Sequence, residues 1–243
     1  MAKNKQEKKI ILFIVEGMND QIALGLPFEN MIKQYFQDRD IKFDITGGDL
    51  TSDGKTLNIV NAIGKCINKY IDKHKLKKSK GQTQGDICEV ILLVDMDGAF
   101  IPNEAIKCSE DSKKAFYDDD AILYHNPEKI IKIHERKQKY IERLLSKNKI
   151  CDIPFRVYFV SCNLDHIICG NANLSEQEKR IEAEKFEQKF SGDSNGLIEF
   201  FQKPEIILSD SYEQSWTNIK QTNNSLKRYS NLNIFIAGKI SNI

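Results

Sequence analysis

The sequence predicts an α/β fold: a parallel sheet flanked by helices, followed by a mainly helical C-terminal elaboration. Two observations carry this. Three short apolar runs, Ile10–Val15, Val90–Val94 and Phe155–Val160, are too continuous for half-exposed strands and match the buried strands of parallel sheets. Segments with apolar residues every three or four positions lie between them, as the crossover helices of βαβ units require.

Each element follows in order. Ile10–Val15 is the first strand, and Glu16-Gly17 ends it. A helix is expected over Asp20–Gln37, then a strand at Ile41–Ile45, where apolar and polar residues alternate. Thr46–Gly54 is dense in Gly, Asp, Thr and Ser and predicts a loop. Lys55–Lys75 is helical, with Leu57, Ile59, Val60, Ile63, Ile67, Tyr70 and Ile71 near one face. Lys73–Gln84, with five lysines, is expected as a mobile basic loop. Val90–Val94 is the clearest core strand, capped by Asp95-Met-Asp97-Gly98. Asp118–Ile122 predicts a turn into a short strand, and Pro127–Lys149 a long helix with many basic residues, Lys137 among them. After Phe155–Val160, Ser175–Phe190 opens as a helix with a Ser175/Glu178 capping box. Tyr212–Tyr229 is expected as a last helix and Asn231–Ala237 as an edge strand.

Composition narrows the function. With 243 residues, one domain is expected, its core over about 8–170 and its elaboration over about 171–243. Lys plus Arg is 36 and Asp plus Glu is 35, which excludes a polycation, so any nucleic-acid surface must come from local clustering. No apolar run is long enough to span a bilayer. The charged opening lacks the apolar region of a signal peptide, so the expected compartment is the cytoplasm. Six cysteines without a CxxC pair are then free thiols, and Cys162, His166 and Cys169 match no common zinc spacing.

In an open α/β sheet, functional groups collect at the carboxyl ends of the strands. Three expected strands lead into acids: Glu16 after the first, Asp95 and Asp97 after the core strand, and Asp165 five residues past Val160. Clustered carboxylates repel one another unless a cation neutralises them. Mg²⁺ favours hard oxygen ligands and keeps several waters, so an open acid cluster suits it.

These residues resemble a family. Val15-Glu16-Gly17-Met18-Asn19-Asp20 resembles the first Toprim motif, and Ile91–Asp97 resembles the second, a DxD at a strand end. Ser161-Cys-Asn-Leu-Asp165-His166 is similar to the later Ser-and-acid segment of OLD-type nucleases, with Asp where Glu is more usual. The resemblance implies a Toprim-like sheet and Mg²⁺ or Mn²⁺ held by Glu16, Asp20, Asp95, Asp97 and Asp165. It implies phosphodiester hydrolysis of DNA or RNA, with Glu16, Asp95 and Asp97 catalytic and a late lysine, Lys227 or Lys220, assisting. The chain has no GxxxxGK[ST] segment, so the expectation is a standalone Toprim protein rather than a full ATPase–nuclease. By family analogy, its partners are nucleic acid, a partner ATPase or other phage-defence protein, and a second copy as homodimer; no membrane is expected.

Two alternatives stand beside this. Asp95-Met-Asp97-Gly98 also resembles the nucleophile motif of haloacid dehalogenase-like phosphatases, with Val157–Ser161 and Gly192-Asp193-Ser194 similar to their later motifs. That reading makes Asp95 the nucleophile and leaves Glu16 without a role. The third reading is a Toprim module that binds nucleic acid without cleaving it.

Overall fold

The computed structural model describes residues 9–36, 38–75 and 84–240. The main sheet has the order β2-β1-β3-β8-β7: β1 is Lys9–Val15, β2 Arg39–Ile45, β3 Ile87–Asp95, β7 Lys149–Ile150 and β8 Ile153–Val160. β1, β2, β3 and β8 run parallel, and β7 adds an antiparallel edge through a tight hairpin to β8. A small second sheet, β4-β6-β5, is built from β4 (Ile106–Cys108), β5 (Phe116–Tyr117) and β6 (Ile122–Tyr124).

The alternation of a pleated strand sends neighbouring residues to opposite faces. Ile11, Phe13 and Val15 of β1 join Ile91 and Leu93 of β3 in one core, covered by α1 (Met18–Tyr35), α5 (Glu176–Phe190), α6 (Ser194–Phe201) and α8 (Leu232–Ile240). Ile10, Leu12 and Ile14 face the other core with Val90, Leu92 and Val94, under α2 (Ile59–Lys75), α3 (Pro127–Leu145) and α7 (Tyr212–Ile219). Both sides of β1 and β3 are therefore dry, which explains their unbroken apolar sequences. A short helix, α4 (Leu164–Cys169), follows β8. The chain is thus α/β with a parallel-rich sheet between helices and a helical C-terminal part.

Several boundaries differ from expectation: α1 spans Met18–Tyr35 rather than Asp20–Gln37, and α2 begins at Ile59 rather than Lys55, which leaves Leu57 exposed before it. The expected edge strand Asn231–Ala237 is absent: residues 232–237 belong to α8, whose Phe235 packs edge-on against Phe13 at 5.0 Å. Its run Leu-Asn-Ile-Phe-Ile-Ala is apolar on most sides because it is buried, and periodicity cannot tell such a helix from a buried strand. The expected Tyr212–Tyr229 helix stops at Ile219. Beyond it, Ser225 O accepts from the amides of both Gly98 and Cys162, at 3.2 and 3.1 Å, which spends that carbonyl outside a helical ladder. The expected Pro127–Lys149 helix ends at Leu145, because Lys149 pairs with Pro154 in the β7–β8 hairpin. The expected basic loop lies outside the described residues over 76–83, while Lys73 and Lys75 belong to α2. Among the described residues, no helix is long and apolar enough to cross a membrane.

Candidate metal and phosphate site

The site forms where β1 and β3 end side by side. Glu16 follows the last residue of β1 and Asp95 is the last residue of β3. The two strands are parallel neighbours, with Ile14 opposite Leu92. This registry brings Glu16 Oε1 to 3.4 Å from the main-chain amide of Asp95. On the other flank, the loop after β2 is tied to the end of β1: Thr46 N donates to Val15 O at 3.0 Å, and Gly48 N to Glu16 O at 3.1 Å. That loop carries Asp49 into the site.

A cavity of about 650 Å³ opens above the strand ends, lined by Glu16, Asp20, Asp95, Asp165, Lys179 and Arg180. Asp20 sits in the first turn of α1, where its Oδ2 accepts from Gly17 N at 2.9 Å. Asp165 begins α4 beside Lys179 of α5, at 3.6 Å. The fold therefore brings Glu16 and Asp20 of the β1–α1 junction, Asp95 and Asp165 to one cavity from three separate segments.

Asp97 is placed differently. Its backbone has φ +47°, a conformation that costs a non-glycine residue energy and that tends to occur at functional turns. The next residue, Gly98, has φ +70°, and a Cβ there would lie 2.7 Å from Leu226 and 2.8 Å from Ile122, so only glycine fits. The turn is pinned further: His134 Nε2 lies 3.0 Å from Asp97 O, and Asp97 N donates to Cys162 O at 2.7 Å. Both carboxylate oxygens of Asp97 are engaged, Oδ1 by the Tyr117 hydroxyl at 3.2 Å and Oδ2 by Lys137 at 2.5 Å.

Lys137 is the unexpected member. Its side chain is fully buried, with Nζ 2.6 Å from Asp95 O, 2.5 Å from Asp97 Oδ2 and 2.8 Å from Asp49 Oδ2. The ammonium thus makes two hydrogen bonds and one further ion pair. The contact to Asp49 is an ion pair without ideal hydrogen-bond alignment. The other Asp49 oxygen accepts from Thr51 N at 2.7 Å and Thr51 Oγ1 at 2.5 Å. Lys137 was visible in the sequence only as one of many basic residues. A sharper signal exists: Ile130, His134, Lys137, Ile141 and Leu144 are spaced as one inward stripe of α3, and all five are buried.

The charges divide the acids into two groups. Burial pushes the Glu16 carboxyl well above its ordinary range, reinforced by Asp49 and Asp95. Burial, then Asp20 and Asp97, do the same to Asp95. Burial lifts Asp20 to about 6. Burial also works against ionisation of Asp49, but Lys137 and the hydroxyls of Ser52 and Thr51 outweigh it and bring that group to about 2. Burial disfavours the Lys137 ammonium, yet Asp97, Asp49 and Glu16 outweigh it and hold the group well above the usual range. Asp49 and Lys137 are therefore a settled ion pair. Among the described residues, Glu16, Asp20 and Asp95 form no direct ion pair; Lys137 and Lys179 act on them only from a distance and do not outweigh burial.

Could these residues hold a divalent cation? Among the described residues, no three His, Cys, Asp or Glu side chains converge on a single point. Mg²⁺ needs only one or two carboxylates and fills the rest of its octahedron with water and phosphate oxygens. Glu16 and Asp95, at adjoining strand ends and without a direct ion-pair partner, fit that requirement.

The remaining expected residues have other places. Lys227 is exposed on the turn after 224–226, and Lys220 caps α7 with Nζ 3.6 Å from Glu142; neither lines the cavity. Ser161 is buried and donates to Asn224 O at 2.8 Å, which fastens the C-terminal segment. Asp193 caps α6 through Gly196 N at 2.8 Å and lies outside the cavity lining. Compared with models of protein families, with curated proteins and with solved structures, the chain matches none.

Proposed function

We propose that the chain is a Mg²⁺- or Mn²⁺-dependent nuclease that hydrolyses phosphodiester bonds of DNA or RNA, a Toprim-like enzyme in its site chemistry. The observation that carries this reading is the pairing of Glu16 with Asp95 at neighbouring strand ends, 3.4 Å from carboxylate to amide, on the floor of an open cavity. Glu16 and Asp95 are the residues that would hold the cation. When bound, the metal polarises a phosphoryl oxygen and makes water more acidic. Asp20, with a carboxyl near 6, suits removal of a proton from the attacking water around neutral pH. Water adds to phosphorus, the bond to the leaving sugar oxygen breaks, and that oxygen takes a proton from solvent. Lys179, beside Asp165, and Arg180, beside Glu184, also line the cavity and supply positive charge for the nucleic-acid backbone.

The phosphatase reading has less support. It leaves Glu16 a surface turn, whereas Glu16 adjoins Asp95, and its acidic motif falls on Asp193, which serves as a helix cap. A role in phage defence, a partner ATPase and a homodimer rest on the resemblance alone.

The test is incubation of the purified chain with labelled DNA and RNA in Mg²⁺ or Mn²⁺, then with EDTA. Cleavage that needs the metal supports the reading. Binding without cleavage, even at high enzyme, leaves a nucleic-acid-binding module. Turnover of a small phosphomonoester in place of any polymer moves the assignment to a phosphatase.

A further inference from the structure

The two groups of acids differ in how their oxygens are used. All four carboxylate oxygens of Asp49 and Asp97 have partners in Lys137, Thr51 and Tyr117. Among the described residues, no side-chain group hydrogen-bonds the carboxylate of Asp95, and Glu16 Oε1 meets only the Asp95 amide at the outer limit of hydrogen-bond length. An ammonium at 2.5 and 2.8 Å from two carboxylates occupies the place from which a second cation would bridge them. Lys137 cannot readily vacate it. Its stem lies within the buried stripe of α3, between His134 and Ile141, and its side chain has no exposed surface. Two positive ions could not share the same pair of oxygens at such range without strong repulsion.

We propose that this site takes a single divalent cation, held by Glu16 and Asp95, and that Lys137 is the fixed positive charge standing where a metal pair would place its second ion. Lys137 is then a positioning residue: it holds the Asp95–Asp97 turn and neutralises Asp49 and Asp97, without touching substrate. The inference rests on the metal-dependent reading above and adds the stoichiometry and the reason for it.

Titration of the nucleic-acid-free protein with Mn²⁺, followed by calorimetry and electron paramagnetic resonance, tests it. The expected result is one Mn²⁺ per chain with the spectrum of an isolated ion. Two bound ions with dipolar broadening would overturn the single-cation inference and leave the nuclease reading standing. No binding at all would overturn both. Lys137→Gln supplies a second measurement where circular dichroism shows it folded: it should bind a second Mn²⁺. A folded Lys137→Gln that still binds one ion would overturn the assignment of Lys137 to the second ion's place. If that variant does not fold, the count on the native chain decides alone.

Discussion

The main-chain amide of Asp95 faces Glu16 Oε1 across 3.4 Å, although 79 residues separate the two in sequence. The parallel pairing of β1 with β3 produces this proximity, and Asp95 adds to the burial that raises the proton affinity of Glu16. A fold seldom retains such repulsion without a use for it, since neutralising either acid would relieve it. Beside this unbalanced pair, Lys137 balances Asp49 and Asp97. The site therefore combines a strained half with a stabilising half, and each half yields its own expectations.

The stabilising half should dominate folding. Lys137→Met leaves Asp49 and Asp97 without their counter-charge and should cost about 3–5 kcal/mol, as loss of one member of a buried pair does. Asp49→Asn keeps the ammonium's contact with Asp97 and should cost less, about 1–3 kcal/mol. Urea denaturation of both variants measures this. Equal, negligible losses would mean that the pair does not hold the site together.

A pH effect follows from His134. Burial lowers its imidazole from 6.5 to about 4. The folded state then binds fewer protons than the unfolded chain between those values, so stability falls as pH drops from 6.5 toward 4. A shift of that size corresponds to about 3 kcal/mol once pH lies below the folded value. The difference in stability between the native chain and His134→Gln should therefore shrink on acidification over this window. Parallel stability curves for the two proteins would show that His134 does not titrate as described.

Much of the framework was legible in the sequence. The apolar runs of β1 and β3 stand out because both of their faces are buried, that of β8 because all of it but Pro154 and Arg156 is, and the acids that follow them are the natural candidates. Asp49 was hidden, because a turn-rich loop attracts Asp for local reasons and only the tie between Gly48 and Glu16 directs it inward. Lys137 was hidden by its company: α3 carries so many basic residues that one buried lysine does not stand out by type. α8 was mistaken for a strand because its surroundings are apolar on most sides, which erases helical periodicity. Contacts made by long-range packing, such as Tyr117 with Asp97, leave no trace in local pattern.

Asp20 should shape the pH–rate profile. Its carboxyl, raised to about 6, must be ionised to accept a proton, so activity should rise with pH through the region near 6 and then level off. A bound cation can only move that limb to lower pH. Asp20→Asn should lower kcat by about 10²–10⁴. The same change should make the metal-free protein slightly more stable at pH 8, because the folded state no longer carries a disfavoured charge. Unchanged kcat in Asp20→Asn would assign the proton to another group.

The cavity wall should govern affinity rather than chemistry. Lys179→Ala with Arg180→Ala should weaken nucleic-acid binding and flatten the slope of log affinity against log salt by about one to two, according to how many phosphate contacts are lost. Filter binding in EDTA at several salt concentrations isolates this from cleavage. An unaltered salt slope would place the backbone elsewhere on the surface.

The central claim is that Glu16 and Asp95 act as one metal-holding unit for phosphodiester hydrolysis. Glu16→Gln tests it most directly, assayed for both cleavage rate and the rise in melting temperature that Mn²⁺ produces. The rate should fall by about 10²–10⁴. The metal-induced rise should shrink or vanish, while the metal-free melting temperature holds or increases as repulsion with Asp95 is relieved. A Glu16→Gln protein that keeps both the native rate and the native response to Mn²⁺ would contradict it.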